Sequence, residues 1–213
     1  MGEPFKEKVQ VVGVGEDGIL SMSLKAMRLI QDAEILFGSE RLLALFPNHD
    51  AKKILLQADL KEAVGIIRSN LGRRQMAVLA PGDPNFFGIG PELIAQLGKD
   101  GVEIFPNVST MQLAFARIKE GWGDAYLGSV RNRPIEAIVE PVRAASKAGL
   151  LTDDRHTPAA VAQLLLQHGI EERRVYLFEE IGGGEERLTK TNLTHLIGKT
   201  FSPAGVMILL KGP

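Results

Sequence analysis

The alternation of short apolar segments with amphipathic segments most constrains the fold of this 213-residue chain. Between residues 9 and 118, five apolar runs are each followed by a stretch whose apolar residues recur at helical spacing. The five runs are Val9–Val14, Ala33–Phe37, Ile54–Gln57, Gln75–Leu79 and Val102–Phe105. Because parallel strands need long crossover connections, this order predicts an α/β fold with a mostly parallel sheet.

A break in composition divides the chain. Lys119–Asp124 contains two glycines and three charged residues, which predicts two α/β domains, residues 1–121 and 122–213. In the second half, helices are predicted over residues 134–147 and 158–168. The predicted strands there are Ala125–Val130, Gly149–Thr152, Arg174–Glu180, Glu186–Lys190 and Val206–Lys211. Residues 181–186 are rich in glycine, which predicts a hairpin turn between the third and fourth of these strands.

The composition excludes several classes of function. The chain has no cysteine, which excludes disulfides, thiolate metal sites and a cysteine nucleophile. The four histidines have no metal-ligand spacing, so no metal site is predicted. The formal net charge of −1 gives no indication of a nucleic-acid partner. The polar N-terminus and the lack of an apolar run of about 20 residues predict a cytoplasmic protein without a membrane span.

The segment Ala80–Gly90 is a candidate ligand loop because it directly follows an apolar strand. Open α/β sheets bind ligands outside the carboxyl ends of their strands. Pro81 and Pro84 stiffen the loop, and Gly82 lets a ligand approach the backbone. Asp83 supplies a carboxylate and is also a good N-cap for the following helix. A plain strand-to-helix turn capped by Asp83 therefore remains open beside a binding loop.

The motif Gly13–Gly18 matches G-x-G-x-x-G and follows a strand. A dinucleotide site also needs an acidic residue at the end of the second strand, about 20 residues on. Glu34 lies at the start of that strand, and Glu16 and Asp17 would direct negative charge toward a pyrophosphate. We therefore interpret the motif as a tight glycine turn. The sequence also has no Walker lysine and no G-x-S-x-G elbow, which favours catalysis by positioning.

Three features occur in an order and spacing that resemble the tetrapyrrole methylases, which use S-adenosylmethionine. They are Val11–Gly15, Pro81–Pro84 and Pro106–Thr110, and the resemblance covers nearly the whole chain. Within the family, longer segments resemble the cobalt-precorrin-7 (carbon-5) methyltransferases of cobalamin biosynthesis. These segments are Phe37–Leu43, Gly82–Gly90, Gln112–Arg117 and Leu151–Ala160.

The resemblance implies two α/β domains with S-adenosylmethionine in a cleft between them, and a homodimer. Matching positions imply a set of residues in contact with the cofactor. They are Pro81, Gly82, Asp83, Phe86, Ser109, Thr110, Leu151, Thr152 and Ala204. Plainer roles remain open for two of them, since Ser109 also fits a helix N-cap and Leu151 also fits core packing.

The resemblance further implies that the glycine turn faces the tetrapyrrole, which places Gly13 and Gly15 on the substrate side. The substrate carries many carboxylates, for which arginines are the expected anchors. The candidate arginines are Arg117, Arg131 and Arg155, with Arg41 and Arg133 as weaker ones. The chain departs from the family at Asn107, where glycine is usual, and at Gly128–Arg133, where a histidine and a glycine are usual. No general base is predicted.

The implied activity is methylation of carbon 5 of cobalt-precorrin-7. Because the chain ends at Pro213, a separate decarboxylating carbon-15 methyltransferase is expected as a pathway partner. The alternatives are a family member that acts at another ring position or on a different substrate, and a non-catalytic module that binds a nucleotide-like ligand.

Overall fold

A computed structural model describes residues 8–57, 59–202 and 205–212. They group into two compact units, of which the first ends at Ser109 and the second begins at Thr110. The strands of the first unit are β1 (Val9–Val14), β2 (Ile35–Gly38), β3 (Lys52–Leu55), β4 (Met76–Pro81) and β5 (Val102–Phe105). All neighbouring pairs in this sheet are parallel, in the order β3-β2-β4-β1-β5. The prediction of a parallel sheet is thereby confirmed.

Helices cover both faces of this sheet. They are α1 (Leu24–Gln31), α2 (Glu40–Leu43), α3 (Lys61–Asn70) and α4 (Gly90–Leu97). Val11 of β1 belongs to one apolar cluster, with side chains of α3 and α4. Val12 belongs to another, with side chains of α1 and α2. Burial on both faces explains why β1 and β4 are continuous apolar runs rather than alternating ones.

The second unit contains a mixed sheet. Its strands are β6 (Tyr126–Ser129), β7 (Lys147–Leu151), β8 (Arg173–Glu179), β9 (Arg187–Asn192) and β10 (Gly205–Lys211), in the order β6-β7-β10-β8-β9. Its helices are α5 (Thr110–Ile118), α6 (Val139–Ala144), α7 (Pro158–Gln167) and α8 (Leu193–Leu196). Strand β6 pairs parallel with β7, whereas the other pairs are antiparallel. The hairpin predicted around residues 181–186 is the connection between β8 and β9.

The first unit ends before α5 and not at the glycine-rich break near residue 121. Gly149 of β7 gives the reason, because a Cβ atom there would lie 2.4 Å from Sδ of Met111 and 3.0 Å from Phe115. Two residues of α5 therefore pack directly on the backbone of β7. The break in composition marks the loop after α5, whereas packing assigns α5 to the second unit.

Three local predictions are corrected. The sequence pattern predicts an amphipathic helix from Leu20 to Asp32, with Leu24, Met27, Leu29 and Ile30 near one face. Helix α1 begins instead at Leu24, because Ser23 caps it by accepting from the N–H of Ala26. The predicted apolar face fails at Leu24, which is 82% exposed, whereas Ala26 and Ile30 are buried.

The predicted helix over residues 134–147 contains only a short 3-10 turn and α6. Lys147 pairs with β10 as part of β7, so the last residue of this predicted helix is strand. The third correction concerns Asp83, which does not cap the next helix. That helix, α4, begins at Gly90, and its N-cap position is Ile89.

Candidate functional site

The carboxyl ends of the three neighbouring strands β4, β1 and β5 carry the predicted binding segments. We name them the glycine loop (residues 13–21), the Gly-Asp-Pro loop (residues 81–89) and the Asn107 turn (residues 106–109). Because parallel strands point in one direction, these segments emerge at one edge of the sheet. The tertiary structure thus brings together three segments that are far apart in the sequence.

Backbone hydrogen bonds join the three segments. The N–H of Gly82 donates to the carbonyl oxygen of Val14 at 2.7 Å, and the N–H of Asn107 donates to the carbonyl oxygen of Gly82 at 3.2 Å. Gly82 has a φ of +56°, and a Cβ atom there would lie 2.9 Å from Cα of Ser109. This position accepts only glycine without strain, for both conformational and steric reasons.

Gly13 and Gly15 are also explained by close packing. A Cβ atom on Gly13 would lie 2.1 Å from the carbonyl oxygen of Gly82 and 2.7 Å from the backbone nitrogen of Asn107. A Cβ atom on Gly15 would lie 2.9 Å from both Cβ and Oγ of Ser21. The G-x-G motif therefore permits contact between loops.

Ser21 and Asn107 hold the glycine loop through their side chains. Ser21 Oγ accepts from the N–H of Gly15 at 2.9 Å and donates to the carbonyl oxygen of Gly18 at 2.7 Å. Asn107 Nδ2 donates to the carbonyl oxygens of Gly13 at 3.2 Å and Ser21 at 3.1 Å. The sequence interpretation missed Ser21, since no local pattern pairs it with Asn107.

The Gly-Asp-Pro loop is polar at its start and aromatic further on. Asp83 Oδ1 accepts from the N–H of Asn85 at 2.8 Å, which tightens the loop. The rings of Phe86 and Phe87 meet edge to face, with their centroids 4.8 Å apart. Phe87 has a φ of +51°, which is strained for a bulky residue. Neither this loop nor the Asn107 turn contains a lysine or arginine.

In the second unit, the end of β7 carries two predicted cofactor contacts, Leu151 and Thr152. Leu151 is 5% exposed, and Thr152 is fully buried. Thr152 Oγ1 donates to the carbonyl oxygen of Gly205 at 3.3 Å. The carbonyl oxygen of Thr152 accepts from Nε of Arg131 at 2.9 Å. Both residues therefore have structural roles, and their contacts with the cofactor stay predictions.

Asp153 organises the loop after β7. Its carboxylate accepts from the backbone N–H groups of His156, Arg155 and Asn132, at 2.6, 3.1 and 3.3 Å. Burial by itself would raise the pKa of Asp153, but these backbone donors and His156 together hold it below its ordinary value. We name this group, with Arg131, the Asp153 cluster (residues 131–132 and 152–156). The sequence interpretation passed over Asp153 and His156, although an aspartate before polar residues is a known turn signal.

The three arginines predicted to bind the substrate lie in different surroundings. Arg117 already forms a two-pronged ion pair with Glu186, at 2.9 and 3.3 Å. Burial lowers the pKa of the Arg131 guanidinium, and the charge of Asp153 opposes this effect. The Arg155 side chain is exposed. Its guanidinium has no hydrogen bond or ion pair within the described part of the chain.

The remaining predicted site residues are found at the ends of elements. Pro81 is exposed at the end of β4, Ser109 is 6% exposed directly before α5, and Thr110 is the first residue of α5. Ala204 lies outside the described residues. Within those residues, no three histidine, aspartate or glutamate side chains are placed to hold a metal ion. No helix there has the length and apolarity to cross a membrane.

Comparison with known families shows which family the chain belongs to. The family model described as Tetrapyrrole (Corrin/Porphyrin) Methylases matches residues 8–197, which include all three loops and the Asp153 cluster. The chain belongs to the tetrapyrrole methylases. The resemblance that the loop motifs indicate is therefore confirmed, and so is the two-part α/β fold of this tetrapyrrole methylase.

Two curated relatives are similar at the level of sequence. A decarboxylating precorrin-6Y C(5,15)-methyltransferase from Sinorhizobium sp is 33% identical over 84% of this chain and 43% of the relative. The tetrapyrrole methylase described here thus spans less than half of that relative. A cobalt-precorrin-7 C(5)-methyltransferase from Salmonella typhimurium is 32% identical over 84% of this chain and 87% of the relative.

The fold is also found in solved structures. The uroporphyrin-III C-methyltransferase from Thermus thermophilus, in complex with S-adenosylhomocysteine, superposes with a TM-score of 0.78. The two chains are 22% identical, and the match covers 96% of this chain and 97% of that one. At this identity the likeness establishes the fold of this tetrapyrrole methylase.

Proposed function

We propose that this tetrapyrrole methylase is an S-adenosylmethionine-dependent C-methyltransferase that acts on carbon 5 of cobalt-precorrin-7. The observation that carries the proposal is the convergence of the glycine loop, the Gly-Asp-Pro loop and the Asn107 turn at one edge of the parallel sheet. The name of the Salmonella relative, which matches over 87% of its own length, supports the choice of substrate and carbon.

The residues of the Gly-Asp-Pro loop fit the proposed cofactor. Gly82 is buried and packs against Ser109, so it sets the path of the loop that would hold the cofactor. Oδ1 of Asp83 accepts from Asn85, while Oδ2 has no partner in the described ranges and is able to accept from a hydroxyl or ammonium group. The absence of lysine and arginine from this loop suits a sulfonium cation, which a cationic side chain would repel. We assign cofactor contacts to this loop, Ser109 and Thr110, and to Leu151 and Thr152.

The proposed methyl transfer needs little acid–base catalysis. Bound S-adenosylmethionine supplies a methyl group on a positively charged sulfur, which a nucleophilic carbon attacks directly. The residues of this chain then have to hold two molecules in line and exclude water. Phe86 and Phe87 supply apolar surface for this purpose, and the hydrogen-bonded loops supply rigid backbone.

Arginines supply the anchors for the carboxylates of the macrocycle in this proposal. Arg131 keeps its terminal nitrogens available, because its hydrogen bond to the carbonyl oxygen of Thr152 uses only Nε. Arg155 has an exposed guanidinium with no partner in the described ranges. We favour these two over Arg117, whose guanidinium is engaged by Glu186. Gly13 and Gly15 contribute backbone on the substrate side.

The remaining assignments are extensions of this proposal. We propose a cytoplasmic homodimer, as the resemblance to the family implies. A separate methyltransferase that methylates carbon 15 and removes a carboxyl group would act as the pathway partner. Size-exclusion chromatography with light scattering measures the oligomeric state directly.

Two measurements test the proposed function. S-adenosylhomocysteine should raise the melting temperature by mass action, whereas NAD should not. Incubation with cobalt-precorrin-7 and S-adenosylmethionine labelled with ¹³C in the methyl group should place the label on carbon 5, as read by NMR. A label on another carbon would indicate a different ring position. Binding without turnover would favour the non-catalytic alternative, and stabilisation by NAD alone would overturn the cofactor assignment.

A further inference from the structure

Asn107 contacts two loops through two different groups. Its backbone N–H donates to the carbonyl oxygen of Gly82 in the Gly-Asp-Pro loop. Its side-chain Nδ2 donates to the carbonyl oxygens of Gly13 and Ser21 in the glycine loop. Replacing Asn107 by alanine therefore removes the side-chain hydrogen bonds to the glycine loop and keeps the backbone hydrogen bond to the Gly-Asp-Pro loop.

We propose that Asn107 is a positioning residue whose carboxamide aligns the substrate-side loop with the cofactor-side loop. The inference rests on the proposed function, in which the glycine loop faces the tetrapyrrole and the Gly-Asp-Pro loop faces S-adenosylmethionine. In-line methyl transfer depends on the relative placement of the two reactants, and errors of about 1 Å are costly in rate. The carboxamide thus acts on the reaction through the glycine loop.

Packing and hydrogen bonding fix the orientation of this carboxamide. Its Oδ1 accepts from the N–H of Val108 at 2.8 Å, which directs Nδ2 toward the glycine loop. A Cβ atom on Gly13 would lie 3.1 Å from Cβ of Asn107, and one on Gly15 would lie 3.3 Å from its Oδ1. The two glycines therefore provide the space that this side chain occupies.

Asparagine has the chemistry that the position requires. Two carbonyl oxygens face Nδ2, so the group has to donate twice, as a primary amide does. An aspartate at position 107 would have the same shape but would present acceptor oxygens to those carbonyls. An alanine would remove the group altogether. The alanine variant therefore measures the loss of the hydrogen bonds alone, whereas the aspartate variant adds repulsion between oxygen atoms.

The test compares Asn107→Asp and Asn107→Ala with the parent and with Asn70→Asp. Asn70 is a matched control, because its Nδ2 donates to the carbonyl oxygen of Ile66 within α3, away from the loops. Three quantities are measured: the Kd of S-adenosylhomocysteine by calorimetry, kcat and KM with cobalt-precorrin-7, and amide hydrogen exchange of the loops. Asn70→Asp should leave the Kd, the kinetic constants and the exchange of the loops unchanged.

For the Asn107 variants, kcat/KM should fall roughly tenfold to hundredfold, mostly in kcat, with Asn107→Asp the more severe. The Kd of S-adenosylhomocysteine should stay within about threefold, because the backbone bond to Gly82 remains. Exchange should speed up at Gly15 and its neighbours in the glycine loop but not at residues 85–89.

Two results would overturn the inference: a loss of cofactor affinity as large as the loss of kcat/KM, or unchanged exchange in the glycine loop. If an Asn107 variant does not fold, Ser21→Ala removes the other side-chain support and should give the same pattern. The exchange and calorimetry measurements need no tetrapyrrole. A parent enzyme that fails to methylate cobalt-precorrin-7 would therefore refute the proposed function, while the loop measurements still decide the role of Asn107.

Discussion

The loops of the first unit and the Asp153 cluster of the second are built in different ways. In the first unit, Gly13, Gly15 and Gly82 let backbones touch, and the main contacts are neutral hydrogen bonds. In the second unit, the carboxylate of Asp153 accepts hydrogen bonds from backbone N–H groups, and Arg131 donates to a backbone carbonyl oxygen. One site relies on close packing and the other on charged side chains.

This difference has a physical consequence for each site. A packed backbone site is sensitive to added volume, and the contacts that join Gly13, Gly82 and Asn107 involve no titratable group. A site built on charged groups tolerates changes in volume but depends on protonation and on the number of donors. Four predictions test this contrast, from the largest expected effect to the smallest.

Gly13→Ala should have the largest effect. The added methyl group would lie 2.1 Å from a backbone oxygen, which cannot move without opening the contact between β1 and the Gly-Asp-Pro loop. We expect a loss of about 3 kcal/mol in the free energy of unfolding, at the upper end of overpacking costs. The same variant should lose affinity for S-adenosylhomocysteine in calorimetry.

Gly65→Ala is the matched control for that experiment. Gly65 lies within α3, and a Cβ atom there has nothing within 4 Å. This change should stabilise the protein by about 0.5–1 kcal/mol, because alanine is the better helix former. If both glycines tolerate alanine equally well in chemical denaturation, the packed character of the first site is refuted.

Arg131→Ala should affect the reaction next most strongly. Loss of a charge-assisted bond to a substrate carboxylate is worth about 1.5–3 kcal/mol, or roughly a tenfold to hundredfold fall in kcat/KM. Arg131→Lys should restore only part of the activity, because lysine lacks the planar fork. Steady-state kinetics with cobalt-precorrin-7 measure the effect, with the Kd of S-adenosylhomocysteine as the control. Equal losses in both quantities would place Arg131 in support of Thr152 rather than at the substrate.

Asp153→Asn should change the pH dependence of stability. The pKa of Asp153 is lower in the folded protein than its ordinary value, so the unfolded state binds the proton more readily. The stability that the carboxylate contributes is therefore complete above about pH 4 and is lost as the pH falls through the folded-state pKa. The free energy of unfolding of the variant should be about 1–2 kcal/mol lower at neutral pH. It should also fall less steeply than that of the parent as the pH is lowered into the acid range.

Urea denaturation at a series of pH values measures this decline. Asp59→Asn is the control, since Asp59 also has a lowered pKa but lies exposed at the surface. An identical acid limb in Asp153→Asn and in the parent would mean that the Asp153 cluster does not depend on charge.

Arg117→Ala should have the smallest effect. Its ion pair with Glu186 is partly exposed, with side-chain exposures of 47% and 23%, and such pairs contribute at most about 1 kcal/mol. Removing Arg117 should raise the pKa of Glu186, which hydrogen bonds from Arg117 and Gly182 hold below its ordinary value. NMR titration measures that pKa. A large fall in kcat/KM for Arg117→Ala would instead restore Arg117 as a substrate anchor.

Much of the fold could be predicted from the sequence because the pattern is local. Apolar runs such as Val9–Val14 predict buried strands without further information. The composition also predicts both strands of the β8–β9 hairpin and its turn. The start of α1 and the end of α6 could not be predicted in this way. Ser23 was one of several possible caps, and the pairing of Lys147 with β10 depends on a strand far away in the sequence.

For the candidate site too, some features could be predicted from the sequence and others could not. The sequence by itself determined the family, the order of the loop motifs and the residue types at Gly13, Gly82 and Asp83. Only the tertiary structure decided that Gly13 packs on Gly82, that Asn107 joins two loops, and that Arg117 is held by Glu186. The reason is that a motif is a local arrangement of residue types, whereas a contact depends on which strands become neighbours. Strand order and helix packing set those neighbours through the burial of the core as a whole.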